Sequence, residues 1–531
     1  MKKTVSIIIV HWNTPKSLKS QLKILSQSKN FQIIVIDNAS KESIGWVKKD
    51  FPSVELIVNK LNRGYAFACN QGVIKSEGRL LLFFNPDVEI EPDQLNEMIE
   101  YAEENHLDAC SVKTTNSYQK PLPSWLSLLI EFTPMNRFIG VNIFSIKTLF
   151  GGCLLIKSEV LKSIGGWDER FFLWFEDSDL TLRLLKNNYK IGWINLAIKH
   201  SGGESFKKLD QQFKRDVFFH SMDVYAKKHF SFFGNIIVSL IKRKYTQRKL
   251  LPSLFDGISI TVPNTKVELL SNFFENNKQV VSKSPYTSGV QWVVVTSSIV
   301  NSDIWDWRSR YPEVSFIPIE KNNGFASTVN IGFRVSTGKW VGTVNDDIIL
   351  SRNSLNDILI CTNQSVGSIN PIILNREGSV ESIGVKVLSK GKAEPIKVVK
   401  TEDDRILVNQ PNRCLIVDAT NAAAVVYFKE ALNKIGLFDE KFGSYLEDID
   451  LSIRLKRGGY KNVVSLKSKV IHIGQSSSKD LGLKKQFYDF RNWIYVIFKN
   501  WSLADIVFNF PSIFIERLRN ISGLIKKCIS L

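Results

Sequence analysis

The chain has 531 residues, and at about 150 residues per domain that length points to two to four domains. Hydrophobic residues make up 44% and charged residues 23%, a globular balance that excludes wholesale disorder and a polytopic membrane protein. Lys and Arg number 70 against 52 Asp and Glu, and the net charge of +18 favours anionic partners: nucleic acid, a membrane surface or phosphorylated substrates.

In chain order, Lys2-Lys3 and the apolar run to Val10 imitate a short signal peptide. The run stops at His11-Trp12-Asn13 with no small-residue cleavage site, so the segment reads as a buried parallel strand. Strands are predicted over 5–10, 32–37 and 80–85, with helices near 15–28, 66–76 and 92–105. Such alternation predicts an α/β fold, a mostly parallel sheet covered on both faces. Six scattered cysteines (Cys69, Cys110, Cys153, Cys361, Cys414, Cys528) predict a reducing compartment, with neither a zinc site nor a disulfide framework.

The chain then repeats itself. Asn62-Arg-Gly-Tyr-Ala-Phe-Ala-Cys-Asn70-Gln-Gly72 returns 260 residues later as Asn322-Asn-Gly-Phe-Ala-Ser-Thr-Val-Asn330-Ile-Gly332, and Asn85-Pro86-Asp87 returns as Asn345-Asp346-Asp347. Glu176-Asp177-Ser-Asp179-Leu-Thr-Leu-Arg-Leu184 returns as Glu447-Asp448-Ile-Asp450-Leu-Ser-Ile-Arg-Leu455, six identities in nine at an offset of 271. His200-Ser-Gly202 returns as His472-Ile-Gly474. Four blocks in one order at so long a period mean two homologous domains and not a solenoid. In the second copy Ile258–Val262 and Trp292–Thr296 replace the first two strands. The basic stretch Lys242–Lys249 before Pro252 divides the chain into 1–250 and 251–531.

The remaining tail mixes aromatics and cations: Phe490–Phe498, then Lys499, Arg517, Arg519, Lys526 and Lys527. Either it lies on an anionic leaflet or it packs as helices on its own domain. No uncharged run reaches the roughly 18 residues a membrane span needs, and a cytoplasmic protein, peripheral at most to the inner membrane face, is expected. Aromatics and basic residues do not interleave as a nucleic-acid groove would require.

Several residues could carry chemistry. Asp37 ends a parallel strand, where open α/β sheets bind nucleotides, though Asp-Asn also makes an ordinary turn. Gly64 and Gly324 each precede a helix and would let a phosphate or sugar approach free N–H groups. Asp87 follows a buried strand, and a carboxylate there can share a hard cation with a diphosphate; the turn reading of Asn-Pro-Asp stays open. Glu176, Asp177 and Asp179 open a helix behind the apolar Phe171–Phe175, a setting that suits a general base as well as a helix cap. His200 and His472 recur at equivalent places, and neutral imidazole is a competent Mn²⁺ ligand.

Together these segments resemble family 2 glycosyltransferases of the GT-A fold, and Val-Ser-Ile-Ile-Ile-Val, Val-Ile-Asp-Asn-Ala-Ser, Asn-Pro-Asp-Val and Gly-Gly-Trp-Asp-Glu resemble the rhamnosyltransferase branch. The likeness covers residues 4–205 strongly and 258–478 more loosely. It implies two tandem Rossmann-like transferase domains with a helical C-terminal tail, a divalent cation (Mg²⁺ or Mn²⁺) and a nucleoside-diphosphate sugar donor. It also implies inversion, with a glycan or lipid-linked acceptor of surface polysaccharide synthesis; one active domain beside a degenerate carbohydrate-binding domain is the alternative.

Carried over by position, the resemblance implies that Asp37 contacts the nucleotide, with Asn62, Gly64, Tyr65, Asn70 and Asn85 also on the substrate. Asp177 falls at the catalytic base, with Glu176 and Asp179 at the acceptor pocket; Asp87 and His200 fall at the metal. In the second copy Asn322, Gly324, Asn330, Asn345, Glu447 and Asp450 take the substrate positions, Asp448 the base, and Asp347 and His472 the metal. Thr296 stands where Asp37 should recur, which puts nucleotide recognition there in doubt.

Overall fold

The computed structural model describes residues 5–28, 30–113, 120–139, 146–196, 198–200, 209–281, 289–397, 414–474 and 482–529. They form two compact units. The first comprises Met1–Pro252 with Val300–Ser315, the second Ser253–Ile299 with Phe316–Leu531.

The first unit is built on a seven-stranded sheet in the spatial order Glu55–Val58, Phe31–Asp37, Val5–His11, Leu80–Phe84, Cys153–Lys157, Ala109–Val112, Ile191–Ile194. The first four strands run parallel; Cys153–Lys157 is antiparallel to both its neighbours. Strand Val5–His11 is apolar throughout because both its faces are covered. Ile7 and Ile9 pack with Leu18 and Leu22 of helix Pro15–Leu25, while Ile8 and Val10 pack with Ala66, Ala68 and Val73 of helix Tyr65–Lys75. Alternate side chains of a strand point to opposite faces, so one run of isoleucines and valines serves two cores.

The second unit repeats the design in a sheet ordered Val314–Pro318, Val290–Thr296, Phe255–Asn264, Gly338–Val344, Ala424–Phe428, Val366–Leu374, Lys461–His472, Ile348–Leu350. Its middle strands Val290–Thr296, Phe255–Asn264 and Gly338–Val344 are parallel, and Ala424–Phe428 is again antiparallel. The register places Thr296 opposite Asn264 as it places Asp37 opposite His11, so Thr296 is the structural counterpart of Asp37. The short strands Val380–Ser382, Val385–Leu388, Lys392–Pro395 and Cys414–Val417 stand where the first unit has helix Trp125–Glu131.

The helical tail is present as Gly482–Asn500 and Leu503–Ile529. Among the described residues no helix is long and apolar enough to cross a membrane. The expectation of unpaired cysteines holds for Cys69, Cys110 and Cys153, which are buried and free. It fails for Cys361 and Cys414, which form a disulfide 53 residues apart in sequence. Sequence spacing could not show this, because Cys414 comes near Cys361 only through pairing of Cys414–Val417 with Lys461–His472.

Candidate active site

Glu176-Asp177 and Glu447-Asp448 begin the helices Glu176–Lys186 and Glu447–Arg457. Each helix is entered through two consecutive non-glycine residues in the left-handed region: Trp174 and Phe175 at φ 66° and 67°, Tyr445 and Leu446 at 72° and 67°. Such backbone costs roughly 1–3 kcal/mol per residue and persists only where its surroundings hold it. Helices Gln211–His229 and Gly482–Asn500 do so. Ser221 Oγ donates to the Leu173 carbonyl at 2.7 Å, and Asn492 Nδ2 donates to the Ser444 and Tyr445 carbonyls at 2.9 and 2.7 Å.

The turn delivers an acid pair at the first turn of each helix. Asp177 Oδ1 accepts the Ser178 N–H at 2.7 Å. Asp448 Oδ1 accepts the Ile449 N–H at 2.8 Å, and its Oδ2 accepts the Ala422 N–H at 3.0 Å. Glu176 and Glu447 are buried, and in each one carboxyl oxygen, Oε2, has no hydrogen-bond partner among the described residues. Burial first, then the neighbouring Asp177, pushes the Glu176 carboxyl up to about 8; burial and Asp448 push Glu447 up in the same way. Glu176 is therefore held protonated at neutral pH. Burial raises Asp448 as well, against the pull of its backbone donors.

The strand-end acids meet the late histidines through the sheet. Val88, after Asp87, pairs with His200, and Ile348, after Asp347, pairs with His472, so the two copies share a register. Asp347 is 3% exposed, and neither of its carboxylate oxygens makes a well-formed hydrogen bond among the described residues. The His472 Nε2 lies 3.3 Å from it, while Nδ1 faces both oxygens of Glu381 at 3.1 Å. Asp347, aided by Glu381 and opposed by burial, raises His472 to about 9. A buried oxygen donor and an imidazole nitrogen side by side fit a divalent cation in the proton's place. No cluster of three or more His, Cys, Asp or Glu suited to metal occurs among the described residues. The His200 side chain lies outside the described residues.

Asp37 is buried, and its Oδ1 accepts the Ser40 N–H at 3.1 Å; Thr296 Oγ1 takes the Ser298 N–H in the same way at 3.1 Å. Asn62 and Asn322 accept the N–H of Gly64 and Gly324 at 2.9 and 2.8 Å. Tyr65 donates its hydroxyl to the Gly151 carbonyl at 2.9 Å. Asn85 and Asn345 donate their N–H groups to the Gly152 and Ala423 carbonyls.

Several expectations need correction. A Cβ on Gly64 would lie 2.5 Å from the Phe172 carbonyl oxygen, and on Gly324 2.6 Å from that of Gly443. Those carbonyls also take the Tyr65 and Ala326 N–H groups, so the protein's own backbone fills the space expected for a phosphate. Asn70 and Asn330, each 1% exposed, are not open to substrate: their amides bind the Trp167 carbonyl and Glu169, and the Phe438 carbonyl and Glu440. Asp179 and Asp450, fully buried, do not face an acceptor pocket either. Asp179 pairs with Arg183, Lys228 and His229 at 2.8, 2.6 and 2.7 Å. Asp450 pairs with Arg454 and Lys499 at 2.8 and 3.1 Å.

Two acids beside these residues escaped the sequence reading. Asp346 occupies the place of Pro86, and burial raises it to about 6 while the Asn264 amide opposes the shift. Glu381 lies on Val380–Ser382, a strand belonging to the second copy's insertion, so no repeat could point to it.

The family model described as "Glycosyl transferase family 2" matches residues 6–165 and 301–359, one segment in each copy. That of "Glycosyl transferase family group 2" matches residues 90–274. The chain carries glycosyl transferase family 2 sequence in both copies. Over 202 residues, 35% of its length, the chain is 26% identical to a low-salt glycan biosynthesis hexosyltransferase of Haloferax volcanii, 64% of which is covered. Over 185 residues, 31% of its length, it is 24% identical to an N-acetylglucosaminyl-diphospho-decaprenol L-rhamnosyltransferase of Mycobacterium tuberculosis, 60% of which is covered. The chain thus spans less than two thirds of the length of these curated relatives. TarS of S. aureus, a solved structure, matches at 16% identity over 45% of this chain and 70% of its own with a TM-score of 0.30, too low to carry an argument.

Proposed function

We propose that each copy, 1–250 and 251–531, is an inverting transferase domain that moves a rhamnose-like or other hexose from a nucleoside-diphosphate sugar to a hydroxyl of a glycan or lipid-linked acceptor. The observation that carries this reading is the recurrence of a carboxylate pair behind two left-handed residues in both units. Asp177 and Asp448 are the bases. Ser178 holds Asp177 Oδ1, which leaves Oδ2 to receive the acceptor's hydroxyl proton as that oxygen attacks the anomeric carbon from the side opposite the leaving group. Glu176, protonated, spares Asp177 a like-charged neighbour and keeps a donor at the acceptor side. Base help is worth about 10²–10⁴-fold, so positioning must supply much of the rest.

Asp347 with His472, and Asp87 with His200, would hold a Mg²⁺ or Mn²⁺ ion, which when bound neutralises charge on the departing diphosphate. Asp37 would receive the nucleotide; Thr296 offers a hydroxyl and no charge in its place. The likeness to a glycan-biosynthesis hexosyltransferase and to a rhamnosyltransferase named for an N-acetylglucosaminyl-diphospho-decaprenol acceptor supports a glycan or lipid-linked acceptor.

A second reading keeps one active copy and makes the other a carbohydrate-binding domain. Thr296 and the engagement of both Asp448 oxygens by backbone N–H groups favour it. The test is a panel of nucleotide sugars with Mg²⁺ or Mn²⁺, scoring nucleoside diphosphate release and product anomeric configuration. Release from one donor class, lost in EDTA and with inverted product, is expected. Full activity in EDTA removes the metal, and a retained configuration removes the single displacement.

A further inference from the structure

Helix Leu503–Ile529 presents its apolar side outward. Phe508 is 88% exposed, and Val507, Phe510, Phe514, Leu518 and Ile525 recur on the same exposed side at spacings of three to seven residues. The buried side carries Ile513 together with the charged Glu516 and Arg517, whose guanidinium donates to the Gly391 carbonyl at 2.6 Å. An ordinary surface helix has the opposite polarity, its apolar stripe inward. The first unit has a counterpart 271 residues earlier: helix Phe232–Tyr245 exposes Phe232, Phe233 and Leu240 and ends in exposed Arg243 and Lys244.

We propose that these two helices are lipid-seating faces that bind an anionic bilayer by lying in its interface. Three features favour lipid over a second copy of the chain. The apolar side is wider than a two-stranded coiled-coil seam and is interrupted by Pro511. It is rich in phenylalanine, with the exposed cations Arg243, Lys244 and Arg519 beside it, on a chain of net charge +18. Because no described helix is apolar enough to span, an in-plane seat is the geometry left for such a face. The seat deepens the acceptor side of the proposed function, yet its test needs no turnover, so the two can fail separately.

The full chain is sedimented with vesicles of phosphatidylglycerol and phosphatidylethanolamine, and with vesicles of phosphatidylcholine. Binding at least about tenfold tighter to the anionic vesicles is expected, weakening with salt. Phe508→Ser with Phe510→Ser should lose about tenfold or more in vesicle affinity at an unchanged melting temperature, since both rings are exposed. In a separate Phe508→Trp variant, emission should shift to the blue with vesicles and be quenched by brominated acyl chains. No preference for anionic vesicles, or unshifted emission, overturns the proposal. So does a wild-type dimer that the double serine variant splits, which would make the face a self-interface.

Discussion

Glu176 and Asp179 sit three residues apart and are pushed in opposite directions. Burial raises Glu176 to about 8, whereas the cations Arg183 and Lys228 and the His229 hydrogen bond overcome the same burial and hold Asp179 well below the usual carboxylate range. For Glu176 the folded state binds the proton more tightly than the unfolded chain. Its contribution to stability is therefore full below about pH 4.5 and is lost as pH rises through about 8. Glu176→Gln keeps the neutral form, so its melting temperature should fall less than that of wild type between pH 5 and pH 8.5; equal slopes would contradict the assignment. Asp179→Ala should behave differently. It leaves the buried Arg183 without its carboxylate and Lys228 with Asp168 alone, and a loss of about 3–5 kcal/mol in denaturant unfolding is expected. A stable Asp179→Ala protein with a raised acceptor KM would restore the substrate role that the structure removes.

At the scale of elements, the helices Gln211–His229 and Gly482–Asn500 hold the strained turns before the acid pairs. Asn492→Ala removes the donors to the Phe442, Ser444 and Tyr445 carbonyls, and a cost of about 1–3 kcal/mol is expected. Its kcat for the second unit's linkage should fall while the donor KM holds, because the turn and not the nucleotide pocket loosens; an unchanged kcat would free the turn from this role. The strands and the acid-bearing helices were legible in the sequence, since a doubly covered strand such as Val5–His11 is apolar throughout and Leu180 and Leu184 keep the helical spacing. The work of Asp179 was not, because its partners Lys228 and His229 come some fifty residues later and carry no local pattern. A signal did exist: Asp168, Asp179 and Lys228 recur as Asp439, Asp450 and Lys499 at the one offset of 271, which marks a network conserved within the chain by duplication. Asn70 misled for a related reason, since a motif residue beside a glycine looks like a ligand until its amide is seen on Glu169.

At the scale of the molecule, duplication leaves two sites that are alike in frame and different in detail. The first has Asp37 and an Asp177 held only through Oδ1; the second has Thr296, Asp346 and an Asp448 held through both oxygens. A carboxylate that meets a base or ribose discriminates strongly, so the second site should be the less selective about the nucleotide. The most direct measurement is the product profile of Asp177→Asn and Asp448→Asn against wild type, with one acceptor and its matched donors, resolved by linkage. The account predicts that each variant loses one linkage, or stalls the chain at its own length, by a factor of about 10² or more while donor binding stays within a few-fold. Normal products and rates from Asp448→Asn would contradict two active sites, and normal turnover by Asp177→Asn would contradict the base itself.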